Sequence, residues 1–359
     1  MNLKKIQDTY VVNKKVLLRL DLDVPLSETG EIADVTRLKA GEETLHYLLN
    51  NHATVIICGH LGRPKGEIKK EESLEPVAKW YEQELRIKNK ELRIEETKLG
   101  EFAGWKLSDK VFVLENLRFF PGEEANDEEF AKQLASLADL YVDDAFAVSH
   151  RDAASNVGAT KFLPSFAGLQ LQKEVEGLGK VLDDPQRPLV VIVGGAKLET
   201  KLPLVEKMHH FADYVLVGGK LVQETQDILK MQHEQLSPSP SGQKSILLVA
   251  DPNEAGLDIT SNSVENFLQV IANAKTVVWN GPLGKTGKDA SQDSEKGTLQ
   301  ITEGIIASGA YSVIGGGDSI EFLESVNLLE KFSFVSTGGG AMLSFLSGEP
   351  LLALTPLMS

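Results

Sequence analysis

Basic side chains and carboxylates recur where the apolar runs in the first half of the chain stop. Arg19, Asp21 and Asp23 close the run Val16–Leu20, and His60 and Arg63 follow Ala53–Cys58. Arg118 follows Val111–Leu114, His150 and Arg151 lie beyond Leu140–Val142, and Arg37 opens a segment of helical spacing. A surface ion pair accounts for any one of these arginines. Their recurrence at successive strand ends, with His60 among them, predicts a pocket for a small polyanion carrying carboxylate or phosphate groups. Arg19 alternates with apolar neighbours, which also suits a structural role.

The second half ends its apolar runs in glycine: Gly194 and Gly195, Gly218 and Gly219, Gly281 and Gly284, Gly315 to Gly317, and Gly338 to Gly340. Such loops bring backbone N–H groups up to a phosphate, and the helix that follows adds its partial positive charge. Any single pair could be no more than a tight turn. Repeated along one sheet edge, they predict a nucleotide site. Lys197 and Lys201, one helical turn apart, could both face its phosphates. Asp318, after the triple glycine, is placed to bind the Mg²⁺ that nucleotides carry.

Two common nucleotide motifs are absent. Gly284-Lys285-Thr286 resembles the end of a phosphate-cradling loop, but Trp279 stands where its first glycine is required. No Gly-x-Gly-x-x-Gly follows a predicted strand, which argues against a dinucleotide-dependent dehydrogenase.

The elements that must carry these residues alternate. Strands are expected at the four runs named above, with helices over Leu38–Leu49, Leu74–Leu85 and Phe130–Leu137. The second half predicts strands at Leu189–Val193, Tyr214–Val217, Ser245–Val249, Thr276–Trp279, Tyr311–Ile314 and Phe332–Val335. Helices over Leu202–Phe211, Val264–Ala272, Leu299–Ile306 and Ile320–Val326 lie between them. Such alternation implies parallel sheets with covered faces, and in open sheets ligands bind beyond the carboxyl ends of the strands. The fold class is therefore α/β, two doubly wound Rossmann-like domains in tandem. Phe166–Leu182 reads as one amphipathic connecting helix, and Ser237–Gln243 as a surface loop.

The 359 residues suffice for two cores. With 37 Lys and Arg against 52 Asp and Glu, the net charge of −15 argues against general affinity for nucleic acid or anionic membranes. No apolar run approaches the ~18 residues of a membrane span, and Met1–Val12 lacks the apolar core of a signal peptide, so a cytoplasmic location is expected. The single cysteine, Cys58, lies in an apolar run and reads as core.

These motifs closely resemble the phosphoglycerate kinase family along nearly the whole chain. Arg19-Leu20-Asp21-Leu22-Asp23-Val24-Pro25, Gly59-His60-Leu61-Gly62-Arg63-Pro64-Lys65-Gly66, Glu115-Asn116-Leu117-Arg118-Phe119, and Asp144-Ala145-Phe146 with His150-Arg151 look like its first-domain signatures. Gly194-Gly195-Ala196-Lys197, Trp279-Asn280-Gly281-Pro282, Gly315-Gly316-Gly317-Asp318 and Ser336-Thr337-Gly338-Gly339-Gly340-Ala341 look like those of the second. The resemblance implies phosphoryl transfer between 1,3-bisphosphoglycerate and ADP, giving 3-phosphoglycerate and ATP, with Mg²⁺ on the nucleotide. It implies a glycerate domain over 1–160, an interdomain helix over 161–182, a nucleotide domain over 183–345, and a segment 346–359 returning to the first domain. It also implies a hinge-bending monomer. By resemblance Asp21, Asp23, Arg37, His60, Arg63, Arg118 and Arg151 hold the glycerate, while Lys197, Lys201, Asn280, Gly316, Gly317, Asp318 and Ser319 bind the nucleotide. Arg37, Lys197, Lys201 and the backbone of Gly338, Gly339 and Gly340 would surround the phosphoryl group in flight.

The chain departs from the family pattern at several positions. Asp23 replaces an asparagine, Thr200 an aspartate and Lys220 a glycine; Thr260-Ser261 replaces Gly-Pro; and Gly287 falls where the family has a ribose-binding glutamate. A second carboxylate beside Asp21 predicts mutual repulsion. Two other readings compete: a paralogue that binds nucleotide without efficient turnover, and a two-domain solute-binding protein that closes on a sugar phosphate without catalysis.

Overall fold

The computed structural model describes residues 1–86, 94–195, 205, 208, 211–219 and 245–359. The chain divides into two compact units, Met1–Val175 with Pro350–Ser359, and Glu176–Glu349.

The first unit is built on β1 (Lys15–Arg19), β2 (Thr54–Cys58), β3 (Glu95–Leu99), β4 (Phe102–Ser108), β5 (Val111–Leu114), β6 (Leu140–Asp143) and β7 (Ser165–Ala167). They form one sheet in the order β3-β4-β5-β2-β1-β6-β7. β1 is central and parallel to β2 and β6, with Arg19 level with Cys58 on one side and Asp143 on the other. Its residues after Lys15 are all buried, as a strand covered on both faces requires.

Three of these strands, β3, β4 and β7, were not expected, and two of them correct the reading of an all-parallel sheet. β3 and β4 pair antiparallel, as do β4 and β5. β3 is charged and mostly exposed, so it carries no apolar signal. β4 is interrupted by Gly104, where any Cβ would lie 2.2 Å from the Val113 carbonyl oxygen. β7 pairs with β6, so the predicted connecting helix starts later than Phe166, as α6 (Leu169–Asp183). The predicted helix over Leu38–Leu49 is two helices, α1 (Thr36–Ala40) and α2 (Glu42–Asn50), meeting at Gly41, which packs against Leu20. α3 (Glu75–Arg86), α4 (Pro121–Glu124) and α5 (Glu128–Ala135) complete the helices used below. The last residues return to this unit: Lys4 N–H donates to the Leu357 carbonyl and Ala353 N–H to that of Ser149.

The second unit holds β8 (Leu189–Val193), β9 (Tyr214–Val217), β10 (Ile246–Val249), β11 (Thr276–Asn280), β12 (Tyr311–Gly315) and β13 (Phe334–Ser336). Their order is β10-β9-β8-β11-β12-β13, all neighbours parallel. Numbered within the unit this is 3-2-1-4-5-6, so the crevice at the switch point lies between β8 and β11. Its helices among the described residues include α7 (Ser261–Ile271), α8 (Gln292–Ser308), α9 (Gly317–Ser325) and α10 (Gly340–Leu346). Trp279 is wholly buried under the crevice, its indole N–H donating to the Gly281 carbonyl at 2.7 Å. The predicted helix over 202–211 lies largely outside the described residues, and the loop over 237–243 wholly so.

Candidate active site

In the first unit the loops after β1, β2 and β5 converge. Arg37, in the first turn of α1, places Nη1 3.4 Å from Asp21 Oδ2 and 3.8 Å from Asp23 Oδ2, and donates to the Asp23 carbonyl at 2.8 Å. Asp23 Oδ1 accepts the Gly62 N–H at 2.8 Å, while its Oδ2 lies 3.7 Å from His60 Nε2. Gly62 adopts φ +63°, a left-handed conformation that suits glycine and turns its N–H toward Asp23. Arg118 donates from Nη1 to the Gly62 carbonyl at 2.7 Å, and its Nε lies 3.4 Å from Glu124 Oε1. The loop of residues 59–66 is thus gripped from both sides.

Charge shapes the protonation states here. Burial, reinforced by Arg19, Arg118, Arg151 and Arg37, holds His60 well below the usual histidine range, so the imidazole is neutral. Burial pushes the Asp21 carboxyl up; Arg37 opposes this and Asp23 adds to it, the repulsion expected from the sequence. Burial also lowers Arg118, with Arg151 adding to the effect. Arg118 and Arg151 therefore stand close enough to repel one another. Arg63 is exposed, and its backbone N–H donates to Glu72 Oε1 at 3.3 Å.

In the second unit a cleft of about 480 Å³ opens at the switch point, lined by Gly195, Gly219, Leu257, Pro282, Leu283 and Asp318 among others. Its walls are set by short backbone bonds: Gly194 N–H donates to the Asn280 carbonyl at 2.9 Å and Gly195 N–H to the Pro282 carbonyl at 2.7 Å. Gly316 caps α9 at φ +100°, close enough to Asn280 that a Cβ would lie 3.4 Å from its amide. Ser319, one turn in, is buried, and its hydroxyl has no partner among the described residues. Asp318 is exposed at the cleft. Gly338 to Gly340 follow β13, and no atom lies within 4 Å of where a Cβ would stand at Gly317, Gly339 or Gly340, so their backbone is approachable.

Asp21, Asp23, Arg37 and His60 are joined by direct contacts, Arg118 through Gly62, and Arg151 by its charge. Asn280, Gly316, Gly317, Asp318 and Ser319 lie together at the ends of β11 and β12. Lys197 and Lys201, with the departures at Thr200 and Lys220, lie outside the described residues. Thr260 caps α7, its hydroxyl accepting the Ser263 N–H at 3.2 Å, which gives that substitution a local structural role. Gly287, at φ +95°, donates its N–H to Glu295 Oε1 at 3.3 Å. Sequence reasoning missed the Gly62 amide, whose signal was the glycine in Gly59-His60-Leu61-Gly62, and the apolar walls Leu257 and Leu283, which carry none.

The fold is similar to that of solved structures. The chain superposes on phosphoglycerate kinase from Coxiella burnetii with a TM-score of 0.79 at 31% identity, covering 99% of this chain and 98% of that one. On phosphoglycerate kinase from Pyrococcus horikoshii the TM-score is 0.77 at 28% identity, with the same coverage. The phosphoglycerate kinase family model matches residues 6–236 and 231–349. The chain belongs to the phosphoglycerate kinase family. Phosphoglycerate kinases of Finegoldia magna and Moorella thermoacetica are 37% and 38% identical to it, each alignment spanning 98% of both proteins. The chain is accordingly a glycolytic kinase that transfers a phosphoryl group between 1,3-bisphosphoglycerate and ADP, and its substrates are small molecules. Among the described residues no helix is long and apolar enough to cross a membrane.

Proposed function

We propose that the first unit holds the glycerate through Arg37, His60, Arg63, Arg118 and Arg151, with Asp21 and Asp23 orienting the cations, and that the second holds the nucleotide in the switch-point cleft. The observation that carries this reading is the convergence of Arg37 and His60 on Asp23, and of Asp23 and Arg118 on Gly62, beside the buried carboxylate Asp21. A neutral His60 and four arginines suit a substrate with one carboxylate and one phosphate. Asn280, Gly316, Gly317 and Ser319, which stand with Asp318 at the ends of β11 and β12, are assigned to the nucleotide from the motif, as are Lys197 and Lys201 to its phosphates.

In the ATP-consuming direction the nucleophile is an ionised carboxylate, so no general base is needed. Arg37 binds and orients that carboxylate, and the approachable N–H groups of Gly339 and Gly340 take up negative charge on the phosphoryl oxygens, whereas Gly338 is buried and donates its N–H to Ser336 Oγ at 3.2 Å. Asp318 fits Mg²⁺ on the chemistry of its donor: one exposed carboxylate beside the cleft, with nucleotide phosphates and water supplying the rest, is an ordinary environment for this ion. Bound Mg²⁺ would neutralise phosphate charge. Because the ligand groups stand on separate units, transfer requires a hinge motion that unites them and excludes water. By family resemblance the kinase works as a cytoplasmic monomer.

Calorimetric titration tests the assignment. Arg118→Ala should weaken 3-phosphoglycerate and spare ADP, and Asp318→Ala should weaken MgADP and spare 3-phosphoglycerate. The opposite pattern would overturn it.

A further inference from the structure

Arg19 is buried on β1, and its guanidinium is spent on protein partners. Nε donates to Ser155 Oγ at 3.0 Å, Nη1 donates to the Leu20 carbonyl, and Nη2 lies 3.0 Å from His60 Nδ1. Ser155 in turn donates its hydroxyl proton to Glu123 Oε1 at 2.5 Å and its backbone N–H to Glu123 Oε2 at 3.0 Å. All four residues are at most 2% exposed.

The direction of this chain follows from what each group can do. A guanidinium has no acceptor, so His60 Nδ1 must be the bare, accepting nitrogen, and a neutral ring then carries its proton on Nε2. A serine hydroxyl has one proton. With that proton on Glu123, its oxygen is left to accept from Arg19. Nε2 is the nitrogen that faces Asp23, on the side where Arg37 and Arg118 gather.

We propose that Glu123, Ser155 and Arg19 form a positioning relay that locks His60 as the Nε2–H tautomer, so that the glycerate site meets a fixed neutral N–H donor. The relay rests on the reading of this face as the glycerate site, which gives the donor its purpose. Glu123 itself lies in α4, outside the first contacts of the site. Glu123 accepts twice from Ser155, which leaves the Ser155 oxygen to accept from Arg19 and so holds the guanidinium in place against His60 Nδ1; the direction of that last bond follows from the guanidinium itself.

The test is ¹⁵N imidazole NMR on the full protein labelled at histidine, with His60 assigned by loss of its signals in His60→Gln. Wild type should show a bare Nδ1 and a protonated Nε2 that do not change from pH 6 to 8. Ser155→Ala should bring His60 into tautomer exchange and raise KM for 3-phosphoglycerate about threefold to tenfold, with kcat little changed, as loss of one positioned donor implies. Ser155→Thr, which keeps the hydroxyl, should restore both. Glu123→Gln serves if Ser155→Ala fails to fold, with the same expectation. A wild-type His60 protonated on Nδ1, or variants whose His60 spectrum is unchanged, would overturn the relay even in an active kinase. If the spectra are as expected but 3-phosphoglycerate does not bind, the glycerate-site reading fails instead.

Discussion

Arg37 Nη1 reaches Asp23 in two ways, at 2.8 Å to its backbone carbonyl and at 3.8 Å to its carboxylate. Only the second contact depends on the aspartate side chain, and it is loose and more than a third exposed on both partners. An exposed pair of that kind is worth ~0–1 kcal/mol.

Removing the Asp23 charge therefore costs little orientation, and it relieves repulsion of an anionic ligand. Asp23→Asn keeps an oxygen for the Gly62 N–H and should lower KM for 3-phosphoglycerate by about two- to fivefold at neutral pH. Steady-state kinetics decide this, and a raised KM would show that the carboxylate acts mainly to hold Arg37.

Arg37→Ala should fold normally, since its side chain is 37% exposed and supports no core. Turnover should fall by roughly two orders of magnitude or more, as loss of a charge aimed at the reacting groups implies. A thermal melt with a kcat measurement checks both halves, and near-normal kcat at saturating substrates would remove Arg37 from the reaction.

How far the sequence disclosed all this depends on the range of each contact. The strand ends, the glycine loops and most basic residues were legible because each is a local pattern. The join at α6 was misplaced by a few residues because Phe166 continues the helical apolar spacing, while its backbone is recruited by β6. Edge strand β3 was silent because it buries almost nothing. The partners of Arg19 were out of reach: Ser155 lies 136 residues away, and Glu123 a further 32 back along the chain, so only folding reveals that Arg19 belongs to the site's support.

The carboxyl pair at the end of β6, Asp143 and Asp144, gives a pH signature. Burial pushes Asp144 up to about 7 and Asp143 up to about 6, from 3.8. The folded state thus holds these protons more tightly than the unfolded chain, so their stabilisation is full below about pH 4 and is lost as pH rises toward 7. Asp144→Asn removes one such loss while an oxygen remains for the Leu171 N–H. The melting temperature of the variant minus that of wild type should grow by a few degrees, ~1–2 kcal/mol, from pH 5 to pH 8. A difference that shrinks over that range would contradict the sign.

Cys58 is wholly buried, and burial pushes its thiol up to about 12. It should resist alkylation by iodoacetamide at pH 8 in the native protein and react after denaturation. Mass spectrometry of both samples checks this, and rapid native labelling would show that β2 opens readily.

The most direct measurement is a coupled assay of the purified protein with 3-phosphoglycerate, ATP and Mg²⁺, following formation of the acyl phosphate. Turnover that requires all three, and that falls in Arg37→Ala without loss of MgADP binding, is the expected result. Nucleotide binding by calorimetry with no turnover, or turnover indifferent to Arg37, would contradict a kinase whose two ligand sites stand on separate units.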